Sequence, residues 1–268
     1  MASASTGLKG SKETWGIWER MVPSMVLEPD AAGKRMLDIH LRRYNIAATF
    51  VAGNKVLDIA SGTGYGSRML RDAGAESVLG VDLSSEAVEF AQKEYGTDGI
   101  EYRQGNAEEF SSDERFDVVA TFETIEHLKD PVGYLKVLHK HLVDGGRLLL
   151  SAPIGETRHI DSYHLHVFER EDIYRLVSEA GFKIEAFRFD DWKVTTREVL
   201  SWSKIYPESK VPMRELLFTW RGRTVLKDLV FRQGIRLPML MVSAVKSDSP
   251  CETPSEAQLQ PLNPPDVG

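Results

Sequence analysis

The sequence predicts an α/β protein organised around a doubly wound, mostly parallel sheet of seven strands, with a helical cap before it and a helical insertion ahead of the last strand. Three observations carry this expectation. From Val56 onward, apolar runs of strand length alternate with helix-length amphipathic stretches, the pattern of right-handed βαβ crossovers. Lys55 to Ser67, reading KVLDIASGTGYGS, drives a short apolar strand into an acid and then three closely spaced glycines. Ser77 to Ser84, SVLGVDLS, repeats the strand-then-acid arrangement, at about the twenty-residue separation that nucleotide-binding α/β folds use.

Taken in order, residues 1–50 read as an N-terminal cap. Trp15, Trp18, Met21, Val22, Met25 and Leu27 precede a helix expected over 31–50, in which Met36, Leu37, Ile39, Leu41, Tyr44, Ile46 and Ala47 recur at roughly helical spacing. Such a cap either packs on the sheet edge or forms a lid whose tryptophans exclude water. The core is expected over 51–189, with strands near 55–60, 77–82, 100–104, 116–121, 146–152 and 182–189 and helices between the first five. Residues 190–237, carrying Trp192, Trp202, Tyr206, Pro207, Pro212 and Trp220, read as a helical insertion that supplies an acceptor pocket. A last strand over 238–246 follows this long interruption and is expected at an edge, in the opposite direction. From 247 to 268, Pro250, Pro254, Pro261, Pro264 and Pro265 lie among polar residues, which predicts a disordered tail.

Composition narrows the classes of function. With 268 residues and 42% apolar content, the chain can bury a substantial core. A formal charge of −7 argues against a dominant phosphate-binding surface, so nucleic acid is not an expected partner. Arg214, Arg221, Arg223, Lys227, Arg232 and Arg236 cluster late in the chain, either as a solvated helical face or as a contact for an anionic substrate or a membrane. Cys251 is the only cysteine, which excludes an intrachain disulfide and suits a reducing compartment. No stretch is apolar enough to span a bilayer, and the first residues lack the features of a secretory signal, so a cytoplasmic location is expected.

The glycine loop narrows the ligand. Gly62, Gly64 and Gly66 let backbone approach a bound group where a Cβ would collide. A dinucleotide loop presents its helix N-terminus to a pyrophosphate, because amides and helix dipole favour an anion there. The carboxylate of Asp58 works against that, and the spacing G-x-G-x-G departs from G-x-G-x-x-G. S-adenosylmethionine has no phosphate; its ammonium and sulfonium give Asp58 a favourable partner. Asp82 is the first candidate to accept hydrogen bonds from ribose hydroxyls. Ser84-Ser85-Glu86-Ala87 then reads as a capped helix start.

The segments VLDIASGTGYG, GVDLS, GNAEEF and FDVVATFETIEHLKDP, in that order, resemble the motifs of class I S-adenosylmethionine-dependent methyltransferases. The likeness is greatest to the small-molecule branch that includes ubiquinone-type O-methyltransferases, and it covers roughly residues 50 to 190. It implies a Rossmann-like core in which Gly62 and Gly64 contact the methionine portion, Asp82 the ribose, and Asn106 with Ala107 the adenine amine. Ala60, Leu83 and Phe122 complete the implied cofactor set beside Asp58. Asn106 departs from the aspartate common at its position, although an amide oxygen can still accept from an amine.

Methyl transfer is an in-line displacement, and a hydroxyl acceptor gains nucleophilicity from a nearby base such as histidine. Two segments offer one. Glu123-Thr124-Ile125-Glu126-His127 follows the fourth strand, where the N/D/S-P-P-Y/F motif of nucleic-acid amine methyltransferases is absent. The loop from Pro153 to Phe168 carries His159, Tyr163, His164 and His166, and similar family members place a histidine before an aromatic where His166 precedes Phe168. His127, His166 and His164 are therefore the catalytic candidates. If His164 and His166 lie on extended chain, their rings share a face, and Asp161, Glu123 or Glu126 would complete a metal set. The spacing lacks the helical His-x-x-x-His of zinc sites, and methyl transfer needs no Lewis acid, so no metal is expected. The expected activity is transfer of a methyl group to a hydroxyl of a small metabolite such as a sugar, quinol or polyketide-like compound. Alternatives are N-methylation of a small amine and non-catalytic cofactor binding; the tryptophan-rich cap is also a candidate homodimer contact.

Overall fold

The computed structural model describes residues 22–26, 30–158, 161, 163–205, 213–247, 249 and 251–263. Trp15, Trp18, Met21, Leu27, His159, Tyr206, Pro207 and Pro212, all singled out above, lie outside the described residues. The strands are β1 (Lys55–Ile59), β2 (Ser77–Asp82), β3 (Ile100–Gln104), β4 (Phe116–Phe122), β5 (Leu142–Pro153), β6 (Phe182–Thr195), β7 (Gly234–Lys246) and β8 (Gln260–Pro261). The helices are α1 (Ala31–Ala47), α2 (Tyr65–Asp72), α3 (Ser85–Tyr95), α4 (Pro131–His141), α5 (Arg170–Glu179), α6 (Thr196–Ile205), α7 (Met213–Phe218) and α8 (Trp220–Phe231).

All eight strands join one sheet in the order β3-β2-β1-β4-β5-β7-β6-β8. The strands from β3 to β5 pair in parallel, whereas β7 runs antiparallel to both β5 and β6. Strand order reverses between β1 and β4, which opens a crevice beyond their carboxyl ends. Both faces of the sheet are covered, so the central strands read as continuous apolar runs. Val56, Val78, Val118 and Leu149 point to the face covered by α1, whose Met36, Ile39 and Ile46 join them in one core. Leu57, Leu79, Val119, Leu148 and Leu150 point to the other, against Tyr134, Leu135 and Leu138 of α4 and Ile173 and Val177 of α5.

Local chemistry sets the helix starts. Asp30 accepts from the Gly33 amide at 2.8 Å and Asp130 from the Gly133 amide at 2.9 Å, with Pro131 at the first helical position of α4. Glu169 and Asp172 close a reciprocal capping box on α5.

Three expectations need correction. The last strand has the opposite direction, as anticipated, but it lies inside the sheet between β5 and β6. Its run Met239 to Ala244 is buried on both sides, the signature of an interior strand rather than an edge. Second, the segment from 190 begins and ends in strand: Asp191 to Thr195 pairs with Gly234 to Pro238, past the point where Pro153 of β5 meets Met239. Asp191 to Thr195, expected within the helical insertion, instead continue β6 and with Gly234 to Pro238 form a two-stranded arm that carries α6 to α8 beyond the carboxyl ends of the parallel strands. Third, residues 251–263 of the expected disordered tail are packed. Gln260 and Pro261 add an eighth strand beside β6, Leu262 is buried, and Glu256 meets Tyr174 and Arg170 at 3.1 and 2.8 Å.

Candidate active site

The glycine loop leaves β1 at the strand-order reversal. Ala60, the residue after the strand, has φ 63°, and Glu123, the residue after β4, has φ 51°. Left-handed backbone at residues that carry a Cβ costs roughly 1–3 kcal/mol, and here it flanks the crevice on both sides. Gly62 has φ 57°, and a Cβ built there would meet nothing within 4 Å, so the loop faces open space at this point. Its amide donates to Asp82 Oδ2 at 2.9 Å, while the Ser84 amide donates to Oδ1 at 2.9 Å. Asp82, at the end of β2, is thus aimed by two backbone donors, and each oxygen keeps lone-pair capacity for a further donor.

Gly66 serves a different neighbour. A Cβ at this position would lie 1.9 Å from a ring carbon of Tyr44, so the third glycine makes room for α1 rather than for a ligand. The Tyr44 ring also packs edge-on against Tyr65 and Phe122, with centroids 5.6 and 5.1 Å apart. Its hydroxyl donates to Asp58 at 3.2 Å, and Ser67 donates to the same carboxylate at 2.6 Å. Burial lifts the Asp58 carboxyl to about 6, even though both hydrogen bonds favour its charged form; the nearby Asp82 charge adds to the rise.

Two residues of α1 that the sequence did not single out face the same crevice. His40 Nδ1 lies 3.0 Å from the Tyr65 hydroxyl, and burial, with Arg43 nearby, holds its ring well below the usual imidazole range. The buried Arg43 guanidinium pairs with Glu123 at 2.8 Å, and Ser151 of β5 donates to the same carboxylate oxygen at 2.8 Å. His40, Arg43 and Tyr44 share a helix face at spacings of three and four. A histidine and an arginine on an otherwise apolar face were the available signal. Ile39, Arg43, Ser151, Trp192 and Met241 line a cavity between α1 and the arm.

Beyond Glu123, a single helical turn places Glu126 in full burial, and neither of its carboxylate oxygens has a hydrogen-bond partner. His127 Nε2 is 3.8 Å from Glu126 Oε1, and the His127 and His164 rings meet edge-on at 4.8 Å. One ligand atom each from Glu126, His127 and His164 lies within 4.8 Å of the others. Burial pushes the Glu126 carboxyl well above the usual carboxylate range, with the Glu123 charge adding to it. Burial likewise drops the His164 ring to about 4, helped by His127, so it is neutral near pH 7. Thr157 Oγ1 is 2.7 Å from His164 Nδ1.

His164 and His166 do not present one joint face. The Leu165 and His166 amides both donate to the Glu126 carbonyl, at 2.8 and 3.3 Å, which ties the loop to the turn. His166 Nε2 donates to the Leu128 carbonyl at 2.8 Å, and its ring stacks on Phe168. On the other side of the crevice, Asn106 Oδ1 accepts from the Glu108 amide at 3.1 Å, capping a short turn that begins at Ala107. Leu83 stands 67% exposed next to Asp82, an unusual place for a large apolar side chain.

The sequence profile of a family described as methyltransferase domain matches residues 57–150, from β1 through β5. A ubiquinone biosynthesis O-methyltransferase of Actinobacillus pleuropneumoniae is 30% identical over 158 residues, covering 56% of this chain and 63% of that protein. Over residues 57–150 the chain is thus similar to class I S-adenosylmethionine-dependent methyltransferases. Among solved structures, a methyltransferase of Bacillus halodurans superposes with a TM-score of 0.63 at 19% identity, over 76% of this chain and 97% of that one. Phosphoethanolamine N-methyltransferase 2 of Haemonchus contortus, in complex with S-adenosyl-L-methionine, gives 0.54 at 19% identity, over 76% and 52%. These likenesses speak for the fold, while the chain spans less than two thirds of the length of the curated relative it matches.

The crevice in the matched region has room for a cofactor of this class. Open space at Gly62, the paired backbone donors that aim Asp82, and the exposed Leu83 leave a cradle with a carboxylate at its rim and an apolar side chain beside it. No helix among the described residues is long and apolar enough to cross a membrane.

Proposed function

We propose that the chain transfers a methyl group from S-adenosylmethionine to a hydroxyl of a small metabolite, with His127 as the general base. The observation that carries this reading is the buried, unpartnered Glu126 carboxylate beside the part-exposed His127 at the carboxyl end of β4. When bound, the cofactor supplies an electrophilic methyl on a sulfonium. Asp82 holds the ribose hydroxyls, Leu83 and Asn106 with Ala107 flank the adenine, and Gly62 and Ala60 shape the floor under the methionine portion, while Gly64 makes room for Ala91 and Tyr102 beneath it. Asp58 supplies negative charge for the ammonium, and Phe122 walls the crevice above it.

His127 accepts the acceptor's proton at an imidazole nitrogen, and the imidazolium that forms lies beside Glu126, whose charged form it favours against the burial that otherwise keeps that carboxyl neutral. His164, neutral and held against Thr157, packs the base in place. His166 positions the loop through Leu128 and is not assigned a proton-transfer role. The O-methyltransferase name of the relative supports a hydroxyl over an amine. The test is turnover of a panel of hydroxylated metabolites by the intact chain and by His127→Ala. A fall in kcat of roughly 10²–10⁴-fold is expected for the variant; undiminished turnover would discard the base.

The same cluster favours a second reading, in which Glu126, His127 and His164 hold a divalent cation that orients the acceptor oxygen. Two buried carboxylate oxygens without donors are the observation behind it. Titration calorimetry with zinc and with magnesium, on the intact chain and on Glu126→Gln, separates the readings: saturable binding lost in the variant supports the cation, and its absence leaves the base alone.

A further inference from the structure

The arm carries a surface that the proposed chemistry does not use. The outer face of α8 presents Trp220, Arg223, Lys227, Val230 and Phe231, one stripe at spacings of three and four. Trp220, Val230 and Phe231 are 52%, 59% and 81% exposed, and Phe218 at the end of α7 adds a ring that is 80% exposed. The helix buries its opposite side, with Gly222, Val225 and Asp228 turned inward. Water-facing helices ordinarily show the reverse distribution, with charged and polar groups outside.

Charge distinguishes the classes of partner. Between Met213 and Arg236 six basic residues stand against two acidic ones, a local net charge of +4 in a chain whose total is −7. Arg232 is paired with Asp228 and Arg236 with Asp191. Arg214, Arg223 and Lys227 have no ion-pair partner among the described residues, and the last two lie between the exposed aromatic groups of the stripe. Rings and cations mixed on one exposed helix face are the composition of an interfacial helix that settles into an anionic bilayer surface, where rings enter the acyl boundary and cations meet headgroups.

We propose that the outer face of α8, with the end of α7, docks the protein on the surface of an anionic lipid bilayer. The arm sets α8 beyond the carboxyl ends of the parallel strands, the end at which Gly62, Asp82 and Glu123 lie. Docking therefore turns the crevice end of the sheet toward the lipid, and an amphiphilic acceptor would reach it from the interface. The surface itself stands whether or not the methyl acceptor assignment does.

The experiment is co-sedimentation of the full chain with vesicles of phosphatidylcholine mixed with phosphatidylglycerol, and with vesicles of phosphatidylcholine alone, at low and high salt. Binding to the mixed vesicles, weakened by salt, is expected. Arg223→Glu with Lys227→Glu should lower partitioning on the order of fivefold or more for each basic residue replaced. Phe218→Ser with Phe231→Ser should also release the protein, and both pairs change exposed groups, so unaltered circular dichroism is expected. No sedimentation with anionic vesicles would overturn the proposal, as would binding indifferent to both variants. A concentration-dependent dimer that the serine variant abolishes, without vesicle binding, would assign the face to a second copy of the chain instead.

Discussion

The Tyr44 hydroxyl donates to Asp58 at 3.2 Å across the seam between α1 and the end of β1. A helix from outside the glycine-loop motif thereby seals the acid on which the ligand argument rests. The ring that makes this bond occupies the space left by Gly66. The cap and the loop are consequently one structural unit, and substitutions on either side should be felt on the other.

Tyr44→Phe keeps the packing ring and removes one donor to a buried carboxylate. The loss should cost ~1–2 kcal/mol in denaturant unfolding at neutral pH. The Asp58 carboxyl should rise further from about 6, and calorimetric affinity for S-adenosylmethionine should fall. Unchanged stability and affinity would show the bond to be idle.

Gly66→Ala should lower stability by ~1–3 kcal/mol through overpacking against the Tyr44 ring. Tyr44→Ala should rescue it, because the new methyl then has room. A double-mutant cycle measured by chemical denaturation reads the coupling directly, and additive effects would contradict the close approach.

Asp58 should make stability fall as pH rises. Its folded value of about 6 exceeds the ordinary 3.8, so between those values the unfolded chain has released its proton while the folded chain still holds it. The contribution is intact below the lower value and is lost through this window, on the order of 3 kcal/mol when complete. Asp58→Asn should flatten that slope in a pH series of unfolding midpoints. Cofactor affinity should run the opposite way in the parent protein, rising through pH 6 as the carboxylate ionises.

Glu126→Gln should separate stability from turnover. Removing a carboxyl that burial disfavours in its charged form should leave folding unchanged or improve it by up to ~2 kcal/mol at pH 7. Turnover should drop together with the counter-charge. Loss of both in parallel would identify Glu126 as a packing residue.

Much of the core was legible because its signals are local. The β1 and β2 strands, the acids that end them and the capped helix starts each follow from a few adjacent residues, and the structure sets them in that order along the chain. Other features depend on partners distant in sequence. The place of β7 inside the sheet is fixed by pairing with both β5 and β6, and its unbroken apolar run from Met239 to Val242 was the one local hint of it. Arg43 looked like one polar residue on a helix until Glu123 and Ser151 came to it from two strands. His166 looked the best of the loop histidines by its aromatic neighbour, yet a main-chain carbonyl of another segment fixes its ring. Leu262, a lone apolar residue among prolines, carried no periodic signal. Leu262→Ser should nonetheless cost ~2–3 kcal/mol, as expected for a fully buried leucine.

The two strands of the arm enter and leave the helical roof side by side, since Thr195 stands opposite Gly234. The whole intervening segment is therefore hung from a single doorway. A module attached in this way can be exchanged without rethreading the rest of the chain, so lineages sharing the glycine loop and its acids can diverge in what they modify by replacing the roof alone.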